Sequence, residues 1–264
     1  MITSLVNADL RGAPDLVAQR GGALGRPMHL LATTTSTNDE AKRAAREGAV
    51  HGETWVAEQQ TAGRGRQGRT WVSPRGENLL FSVLLRLACP PTALPPIALV
   101  AGLAVRDAVA RAAPQAPVRI KWPNDVVCGG RKVAGVLVEA ITVGSRVEAV
   151  VVGAGINVHT RAFPDELAPI ATSVALLAGQ PSDRASILAD VLSGLDHDLH
   201  VVVARGLGLV RRRLEEGDAL RGQRVRCDGD EGIAEGIEDD GRLRVRRDDG
   251  VLARWSAGEV HLVR

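Results

Sequence analysis

The 264-residue sequence predicts an α+β fold in two parts, in which a larger part of strands and helices is followed by a small β-barrel. One observation is the near-continuous apolar run "NLLFSVLLRL" at 78–87, which is typical of a strand buried on both faces. Another is the Ala-, Leu- and Val-rich helical period at 93–113, which predicts a helix packed on a sheet. From Gly217 onward, short strands alternate with turn residues, which favours a small barrel.

Local patterns predict the other elements of the larger part. Thr37 and Glu40 have the spacing of a capping box and mark the start of a helix. Gly129-Gly130 lies between two apolar segments and predicts the turn of a β-hairpin, and Gly144-Ser145 marks a second turn. The predicted elements are a strand at 29–32, a helix at about 38–47, strands at 53–59, 125–128, 131–141 and 146–158, and helical structure from 183 to about 216.

Composition excludes several classes of protein. Lys and Arg total 33 against 31 Asp and Glu, so the surface as a whole is not built to bind nucleic acid. The three cysteines are far apart and form no CxxC pair, which argues against a disulfide framework or a zinc site. The first residues lack a signal-peptide pattern, and the most apolar stretch, 97–105, is shorter than the roughly 20 residues of a membrane span. We therefore expect a cytoplasmic protein with no membrane partner.

The loop "TAGRGRQGRTW" at 61–71 is the densest positive cluster in the first half of the chain. Its glycines fit G-x-G-x-x-G, but a dinucleotide-binding turn must open a helix, and here a turn-broken strand pattern follows. Glycines give the loop mobility, and Arg64, Arg66 and Arg69 offer forked donors to phosphate or carboxylate oxygens. The loop is therefore predicted to close over an anionic ligand. The alternative is an exposed basic turn without a ligand.

Five motifs occur in order along the chain: "TTSTN" (34–38), "AEQQTAGRGRQGRTW" (57–71), "KWPNDVV" (121–127), "RKVAGVLVE" (131–139) and "GAGINV" (153–158). Together they resemble those of the biotin protein ligases, also called biotin–[acetyl-CoA-carboxylase] ligases. The tail "SAGEVHLV" is similar to the end of that family's C-terminal domain. The resemblance implies a mixed β-sheet catalytic domain with helices on one side, followed by a small SH3-like barrel.

The resemblance implies a reaction in two steps. The carboxylate of biotin attacks the α-phosphate of ATP, which gives biotinyl-5′-AMP and pyrophosphate. A lysine of a biotin carboxyl carrier domain of a carboxylase then takes the biotinyl group as an amide. Mg²⁺ is expected to accompany ATP, while the chain shows no carboxylate cluster that would form a metal site of its own.

The resemblance also implies roles for individual residues. Lys132 is the lysine that bridges the biotin carboxyl oxygen and the α-phosphate, and Arg66 acts beside it. Asp125 either orients Lys132 or accepts the proton of the incoming amine. The residues implied for biotin are Ser36, Thr37, Asn38, Gln60, Arg64, Gly65, Arg66, Lys132 and Gly135. The residues implied for ATP are Arg66, Arg69, Trp71, Lys121, Asn124 and Asn157.

Other interpretations of these residues remain open. Helix capping accounts for Ser36 and Thr37, and a hairpin entry accounts for Asn124 and Asp125. The enzyme could also be a lipoate ligase or octanoyl transferase of related fold, or the protein a non-catalytic regulator that binds an adenylate.

The resemblance also divides the chain into three segments, with domain boundaries after residues 26 and 216. We expect a segment of unknown role at 1–26, a biotin- and ATP-binding catalytic domain at 27–216 and an SH3-like domain at 217–264. The first segment shows no pair of amphipathic helices with a tight turn, which predicts a form without a DNA-binding domain. A monomer and a homodimer are both compatible with the sequence.

Overall fold

The computed structural model describes residues 6–87, 89–144 and 146–263, which form a seven-stranded sheet with helices and a five-stranded sheet. The helices are α1 (Ala8–Arg11), α2 (Ala13–Arg20), α3 (Thr37–Arg46), α4 (Leu94–Ala112), α5 (Val174–Ala178), α6 (Arg184–Arg205) and α7 (Arg211–Gly217). The strands of the larger sheet are β1 (Met28–Leu31), β2 (Thr54–Ala57), β3 (Leu79–Leu85), β4 (Val118–Lys121), β5 (Asp125–Cys128), β6 (Arg131–Val143) and β7 (Arg146–Ile156). Those of the smaller sheet are β8 (Arg224–Cys227), β9 (Asp230–Ile237), β10 (Leu243–Arg246), β11 (Leu252–Trp255) and β12 (His261–Leu262).

The larger sheet is mixed, as predicted, with strand order β1-β2-β3-β7-β6-β5-β4. β1 pairs with β2 in parallel, and the other neighbouring pairs are antiparallel. All seven residues of β3 are buried, which confirms the strand predicted from its apolar run. The hairpin of β5 and β6 is also confirmed, and its turn places Gly129 and Gly130 at φ 57° and 77°, where glycine is favoured.

Helices cover both faces of this sheet, so the expectation that helices lie on one side only is wrong. On one face, α4 lies against the strands, with α6 and then α2 packed outside it. Pro91–Ala112, which includes α4, is the single described helix with the length and composition of a membrane span. It is a core helix, since 61% of its most apolar window is buried. On the opposite face, Ala41 and Ala45 of α3 pack on Trp55, Leu84 and Val151.

Long-range contacts replace the capping box predicted at the start of α3. Ser36 occupies the N-cap position without a side-chain capping bond, so the predicted pairing of Thr37 with Glu40 is wrong. The backbone N–H of Thr37 instead donates to Gln60 Oε1 at 2.7 Å, and Glu40 accepts from the Thr34 hydroxyl at 2.7 Å. Because β1 and β2 run in parallel, the segments that follow them meet at the same edge, and this brings Gln60 to the helix.

Glycine interrupts the helix predicted from 183 to about 216. α6 ends at Arg205, and Gly206 at φ 69° leads into a 3₁₀ turn before α7. The sequence pattern predicts the helical content of this region but not the break. Of the predicted turn at Gly144-Ser145, Gly144 has the expected left-handed conformation, and Ser145 lies outside the described residues.

The N-terminal segment forms the helices α1 and α2, joined at Gly12, although no helix pair is predicted there. The two helices bury Leu10, Ala13 and Val17 and pack against α6. Their short apolar faces gain stability from this tertiary packing, since helices of this length are marginal alone. The segment is therefore built into the larger part of the molecule.

A buried arginine joins this segment to the sheet. Arg184, at the start of α6, donates to Asp9 of α1 and to Glu58 after β2, both at 2.7 Å, and to the carbonyl oxygen of Asn78 at 3.1 Å. Burial alone would lower the pKa of Arg184, but the hydrogen bonds and charges of Asp9 and Glu58 outweigh it and raise the pKa. The backbone N–H of Asn7 completes the cluster by donating to Glu58 at 2.8 Å.

The smaller sheet is antiparallel throughout, in the order β11-β10-β9-β8-β12, and it confirms the small all-β part of the predicted fold class. Val225, Ala234 and Leu243 are among its fully buried residues. Trp122, after β4, donates its indole N–H to the carbonyl oxygen of Gly241 at 2.9 Å. This contact fixes the smaller sheet against one end of the larger one.

We expect the substitution Arg184→Ala to lower the free energy of unfolding by about 3–5 kcal/mol, because it leaves the buried Glu58 carboxylate without its cation. Arg20→Ala is the matched control. Arg20, of α2, pairs at 2.8 Å with Asp190, which lies on α6 as Arg184 does. The side chain of Arg20 is 45% exposed, so the expected loss of unfolding free energy is below about 1 kcal/mol. Urea unfolding of both variants measures the difference. Equal, small losses would contradict a structural role for the buried cluster.

Candidate active site

One row of paired residues crosses the larger sheet on the face that carries α3. Lys121 pairs with Asp125, Asp125 with Gly135, and Gly135 with Gly155. Directly paired residues of antiparallel strands point to the same face, so these four positions share one surface. Two charged side chains therefore stand beside two glycines, where the surface of the sheet is bare.

The two glycines make room for Trp71. A Cβ atom on Gly155 would lie 2.5 Å from the Trp71 indole, and one on Gly135 would lie 2.9 Å from Nζ of Lys132 and 3.4 Å from Trp71. Contacts below about 3 Å are not sustained by real Cβ atoms, so both positions exclude any larger residue in this arrangement. The indole of Trp71 thus lies directly on the backbone of the sheet.

A β-bulge brings Lys132 to the same surface. Val126 pairs with Ala134, but Val127 pairs with Lys132, so Val133 is an extra residue in β6. In a regular strand, residues 132 and 135 would point to opposite faces, because side chains alternate. The bulge puts the Lys132 ammonium 2.7 Å from Asp125 and 5.5 Å from the ring centre of Trp71.

The Gly/Arg loop lies across this surface and is closed on itself. The backbone N–H of Gly65 donates to the carbonyl oxygen of Arg69 at 2.7 Å, and Arg64 bridges Thr70 in antiparallel fashion. The tip is tight, with Gln67 at φ 55° and Gly68 at φ 75°. Because the loop folds back in this way, its arginines point to separate parts of the cleft.

Each of those arginines has a different partner. Arg64 pairs with Asp39 of α3 at 2.6 Å, and Arg66 donates to Asn124 Oδ1 at 3.1 Å. Arg69 forms an ion pair with Glu259 of the C-terminal part. The loop thereby contacts α3, the β4–β5 turn and the C-terminal part at once, and it holds its three positive charges around one space.

Polar side chains at the start of α3 form the other end of the cleft. Gln60 Oε1 accepts both the backbone N–H and the hydroxyl of Thr37, at 2.7 and 3.1 Å. Ser82, on β3, donates to Thr37 Oγ1 at 2.7 Å or to Asn38 Oδ1 at 2.5 Å. Ser36 lines the same end. The sequence motifs that contain Thr37 and Gln60 thus meet in space.

Burial and like charges destabilise the cationic forms in the cleft. Burial lowers the pKa of Lys121; the charge of Asp125 opposes this, while those of Lys132 and Arg69 lower it further. Burial likewise lowers the pKa of Arg66, and the negative charge of Asp125 offsets part of this decrease. The guanidinium of Arg66 remains charged at neutral pH. Such a concentration of cations favours an anion between them.

The cleft, about 1000 Å³ when the space open to solvent is included, is lined by nearly every site residue predicted from the sequence. Those brought together are Ser36, Thr37, Asn38, Gln60, Arg64, Gly65, Arg66, Arg69, Trp71, Lys121, Asn124, Asp125, Lys132 and Gly135. Asn157 is the exception. Its side chain donates to the carbonyl oxygen of Thr172 at 3.1 Å, and it is not among the residues of the cleft wall.

Sequence reasoning misses part of the wall. Phe81, Leu137 and Ala154 add apolar surface from β3, β6 and β7, and their strands signal burial but not a ligand. Gly258, Glu259 and Val260 come from the C-terminal part. These three residues lie in "SAGEVHLV", whose resemblance to the family's C-terminal domain indicates a related domain but does not by itself predict a place in the cleft.

The fold and the cleft define a class of protein with a mixed sheet, a small C-terminal β-sheet and a cleft in which several cations surround one space. Residues 30–157 match the profile described as the biotin/lipoate A/B protein ligase family, and residues 222–263 match that of the biotin protein ligase C-terminal domain. The chain belongs to the biotin protein ligase family, as the comparisons with individual relatives also show.

Curated relatives match over most of the chain. A biotin--[acetyl-CoA-carboxylase] ligase of Mycobacterium tuberculosis is 38% identical over 84% of this chain and 84% of its own length. A counterpart from Paracoccus denitrificans is 36% identical over 82% of this chain and 93% of its own length. The bifunctional ligase/repressor BirA of Bacillus subtilis is 34% identical over 84% of this chain and 70% of its own length.

Solved structures agree with this assignment. The biotin protein ligase from Aquifex aeolicus in complex with biotin and ATP superposes with a TM-score of 0.77 at 30% identity, covering 90% of this chain and 98% of that one. The Leishmania major ligase in complex with biotinyl-5-AMP gives a TM-score of 0.60 at 27% identity, covering 87% and 98%.

We expect Gly155→Ala to push Trp71 off the sheet, because the new methyl group would overlap the indole. Trp55, Trp122 and Trp255 are each at most 9% exposed, so acrylamide quenching of fluorescence reports chiefly on Trp71. Quenching should increase in this variant. Gly102→Ala is the control, since a Cβ atom there meets nothing within 4 Å. Unchanged quenching in Gly155→Ala would show that Trp71 does not rest on the glycine pair.

Proposed function

We propose that the protein is an ATP-dependent ligase that attaches biotin to a lysine of a biotin carboxyl carrier domain. In the first step, an oxygen of the biotin carboxylate bonds to the α-phosphorus of ATP, the bond to the β-phosphate breaks, and pyrophosphate leaves. In the second, the lysine amine attacks the acyl carbon of biotinyl-5′-AMP, AMP leaves with the bonding electrons, and the amine loses a proton. The observation that carries the proposal is the convergence of five cations, Arg64, Arg66, Arg69, Lys121 and Lys132, on one cleft that also holds polar side chains at the start of α3.

Charge is the main obstacle to the first step, since a carboxylate must approach a triphosphate. Lys132, carried to the surface by the bulge, is positioned to stabilise both reacting groups in the transition state. Arg66 stands across the cleft on the loop and supplies a second cation to the same region. Preorganised charges of this kind cost little reorganisation as the reaction proceeds.

Asp125 holds Lys132 through the 2.7 Å ion pair, which supports an orienting role. The same contact places a carboxylate beside the reacting centre, where it could accept the proton of the amine in the second step. Both roles use the same atom positions. We propose orientation of Lys132 as the role in adenylate formation, because the ammonium must stay charged there.

Biotin fits the end of the cleft near α3. Its ureido group needs hydrogen-bond donors and acceptors, because leaving them unpaired in a closed pocket costs affinity. Ser36, Thr37, Asn38 and Gln60 supply hydroxyl and amide groups for it. The apolar rings would lie on Gly135 and its neighbours, and the carboxylate would point to Lys132. Arg64 and Gly65 of the loop would close over it.

ATP fits the opposite end of the cleft. We assign Arg66, Arg69, Lys121 and Asn124 to its phosphates, and Trp71 to the base. Asn157 lies behind the wall, so any influence on the nucleotide would pass through the backbone near Val133, whose carbonyl oxygen accepts from the Asn157 N–H at 2.8 Å.

Magnesium would arrive with the nucleotide. Among the described residues, no group of three His, Cys, Asp or Glu side chains could hold a metal ion. The carboxylates of the cleft wall, Asp125 and Glu259, are each paired with a cation. These residues do not fit a dedicated metal site, so Mg²⁺ is assigned to the ATP phosphates.

The remaining assignments follow from this activity. We propose that residues 27–216 form the catalytic domain and 217–264 the C-terminal domain, with 1–26 as an attached segment of unassigned role. The acceptor is the biotin carboxyl carrier domain of a carboxylase. We expect the enzyme to act in the cytoplasm, without DNA or membrane as a partner.

The first test is the intact mass of a purified biotin carboxyl carrier domain after incubation with the protein, Mg-ATP and biotin. We expect a gain of one biotinyl group, with a rate about 100-fold lower in Lys132→Ala. Arg131→Ala, an exposed neighbour on the same strand, should leave the rate unchanged. A gain with lipoate alone would assign the protein to the lipoate ligases. No gain with either acid, and no pyrophosphate, would favour a non-catalytic regulator.

A second test uses the lowered pKa of Lys121. Only the protonated amine attracts phosphate, so ATP affinity should fall as pH rises through a pKa below the ordinary value of 10.5. Lys121→Arg stays charged throughout this range, so its affinity should persist to higher pH. Calorimetric titration of ATP at increasing pH measures both proteins. The same pH dependence in both would show that Lys121 does not contact the nucleotide.

A further inference from the structure

Glu139 is a charged residue of β6 that no part of the proposed reaction uses. Its half-buried carboxylate accepts from Asn38 at 2.7 Å, from Lys42 at 2.8 Å and from Arg64 at 3.3 Å. Burial raises the pKa of Glu139, but hydrogen bonds from Lys42 and Asn38 outweigh this and hold the pKa below its ordinary value of 4.5. At neutral pH the group is therefore a carboxylate, which accepts hydrogen bonds and donates none.

The amide of Asn38 has almost all of its hydrogen-bonding capacity used. Its nitrogen donates to Glu139 and, more weakly, to the carbonyl oxygen of Leu137 at 3.5 Å. Its oxygen lies 2.5 Å from the hydroxyl of Ser82 and accepts from it when that proton is not directed to Thr37. An amide has two N–H donors and two acceptor lone pairs, so within the described contacts one acceptor position remains.

The amide of Asn38 lies at the cleft. Asn38, Leu137 and Gly153 all belong to its wall. A Cβ atom on Gly153 would lie 2.0 Å from Asn38 Oδ1, which shows that the amide oxygen rests on the bare backbone of β7. Since the nitrogen is turned to Glu139 and Leu137, the oxygen is the end of this amide that has hydrogen-bonding capacity left for a ligand.

We infer that Glu139 is a positioning residue that fixes the amide of Asn38 so that the biotin end of the cleft selects a ligand with an N–H donor. A flipped amide would place its oxygen against the Glu139 carboxylate, where two acceptors repel each other. A neutral glutamine at 139 could donate or accept and would permit both orientations. This inference rests on the proposed function, because the donor would be a ureido N–H of biotin.

A simpler interpretation is that Glu139 belongs to an ion-pair network at the surface. Asp39 allows the ion-pair interpretation to be separated from the positioning role of Glu139, because it shares two of the three partners of Glu139. It pairs with Arg64 at 2.6 Å and with Lys42 at 3.1 Å, and its side chain is 40% exposed. Asp39→Asn thus removes a carboxylate from the same two cations without touching the amide of Asn38.

The experiment measures the Kd of biotin by calorimetry for the parent, Glu139→Gln and Asp39→Asn, and for Asn38→Ala with and without Glu139→Gln. We expect Glu139→Gln to weaken binding about tenfold or more, and Asp39→Asn by about threefold at most. In the Asn38→Ala background, Glu139→Gln should weaken binding no more than Asp39→Asn does in the parent, because the residue acts through the amide. Glu139→Asp keeps an acceptor-only group and should recover part of the affinity.

Two results would overturn the inference. One is an equal loss in Glu139→Gln and Asp39→Asn, which would place the effect in the ion pairs. The other is a full, additive loss from Glu139→Gln in the Asn38→Ala background. Should Glu139→Gln fail to fold, Glu139→Asp decides, because weaker binding additive with Asn38→Ala would again exclude action through the amide. A parent protein that binds no biotin would refute the proposed function itself. The Kd of the parent is measured first, so this outcome is distinguished from a failure of the inference about Glu139.

Discussion

The cleft depends on two glycines that face each other across β6 and β7. Gly135 and Gly155 leave a strip of backbone bare between the charged end of the sheet and the polar start of α3. Because a side chain at either position would collide with Trp71 or Lys132, everything else in the site is arranged around this strip. Flat groups can approach the backbone there, as the Trp71 indole does, and the Lys132 ammonium lies close to Gly135.

The charges of the cleft are balanced by partners that can be exchanged. Arg66 is engaged by a neutral amide, and Arg69 by an exposed glutamate, so an incoming anion would meet little competition. The buried cluster of Arg184 is different, since Arg184 and the Glu58 carboxylate are held away from water. The molecule thus has two separate sets of polar contacts. The buried set holds Glu58, two residues before Gln60, in a fixed position, and the exposed set on the loop can exchange its partners for a ligand.

Local pattern predicts most of the fold, and the resemblance to a family implies which residues meet in the cleft, but neither predicts the geometry. The buried run of β3 and the hairpin of β5 and β6 follow from residues near in sequence. The cap of α3 by Gln60 and the approach of Glu259 do not, because both contacts join segments far apart in the chain. Asn157 illustrates the limit of a motif: it lies beside two wall glycines in sequence, yet its side chain turns to Thr172. Helices α1 and α2 escape prediction because α6 supplies most of their stability.

The bulge at Val133 determines which face of the sheet the side chain of Lys132 points to. Strands assign faces by counting odd and even residues, so one extra residue is enough to exchange them. Regular pairing of every residue of β6, with none added or lost, would leave each charge and motif residue in the sequence, yet it would turn the ammonium away from Asp125. Deleting Val133 would not, because Lys132 would then stand two residues before Gly135 and share its face. The bulge is therefore as much a determinant of chemistry as residue identity, since Lys132 reaches Asp125 only while the pairing of β5 with β6 accommodates this one extra residue.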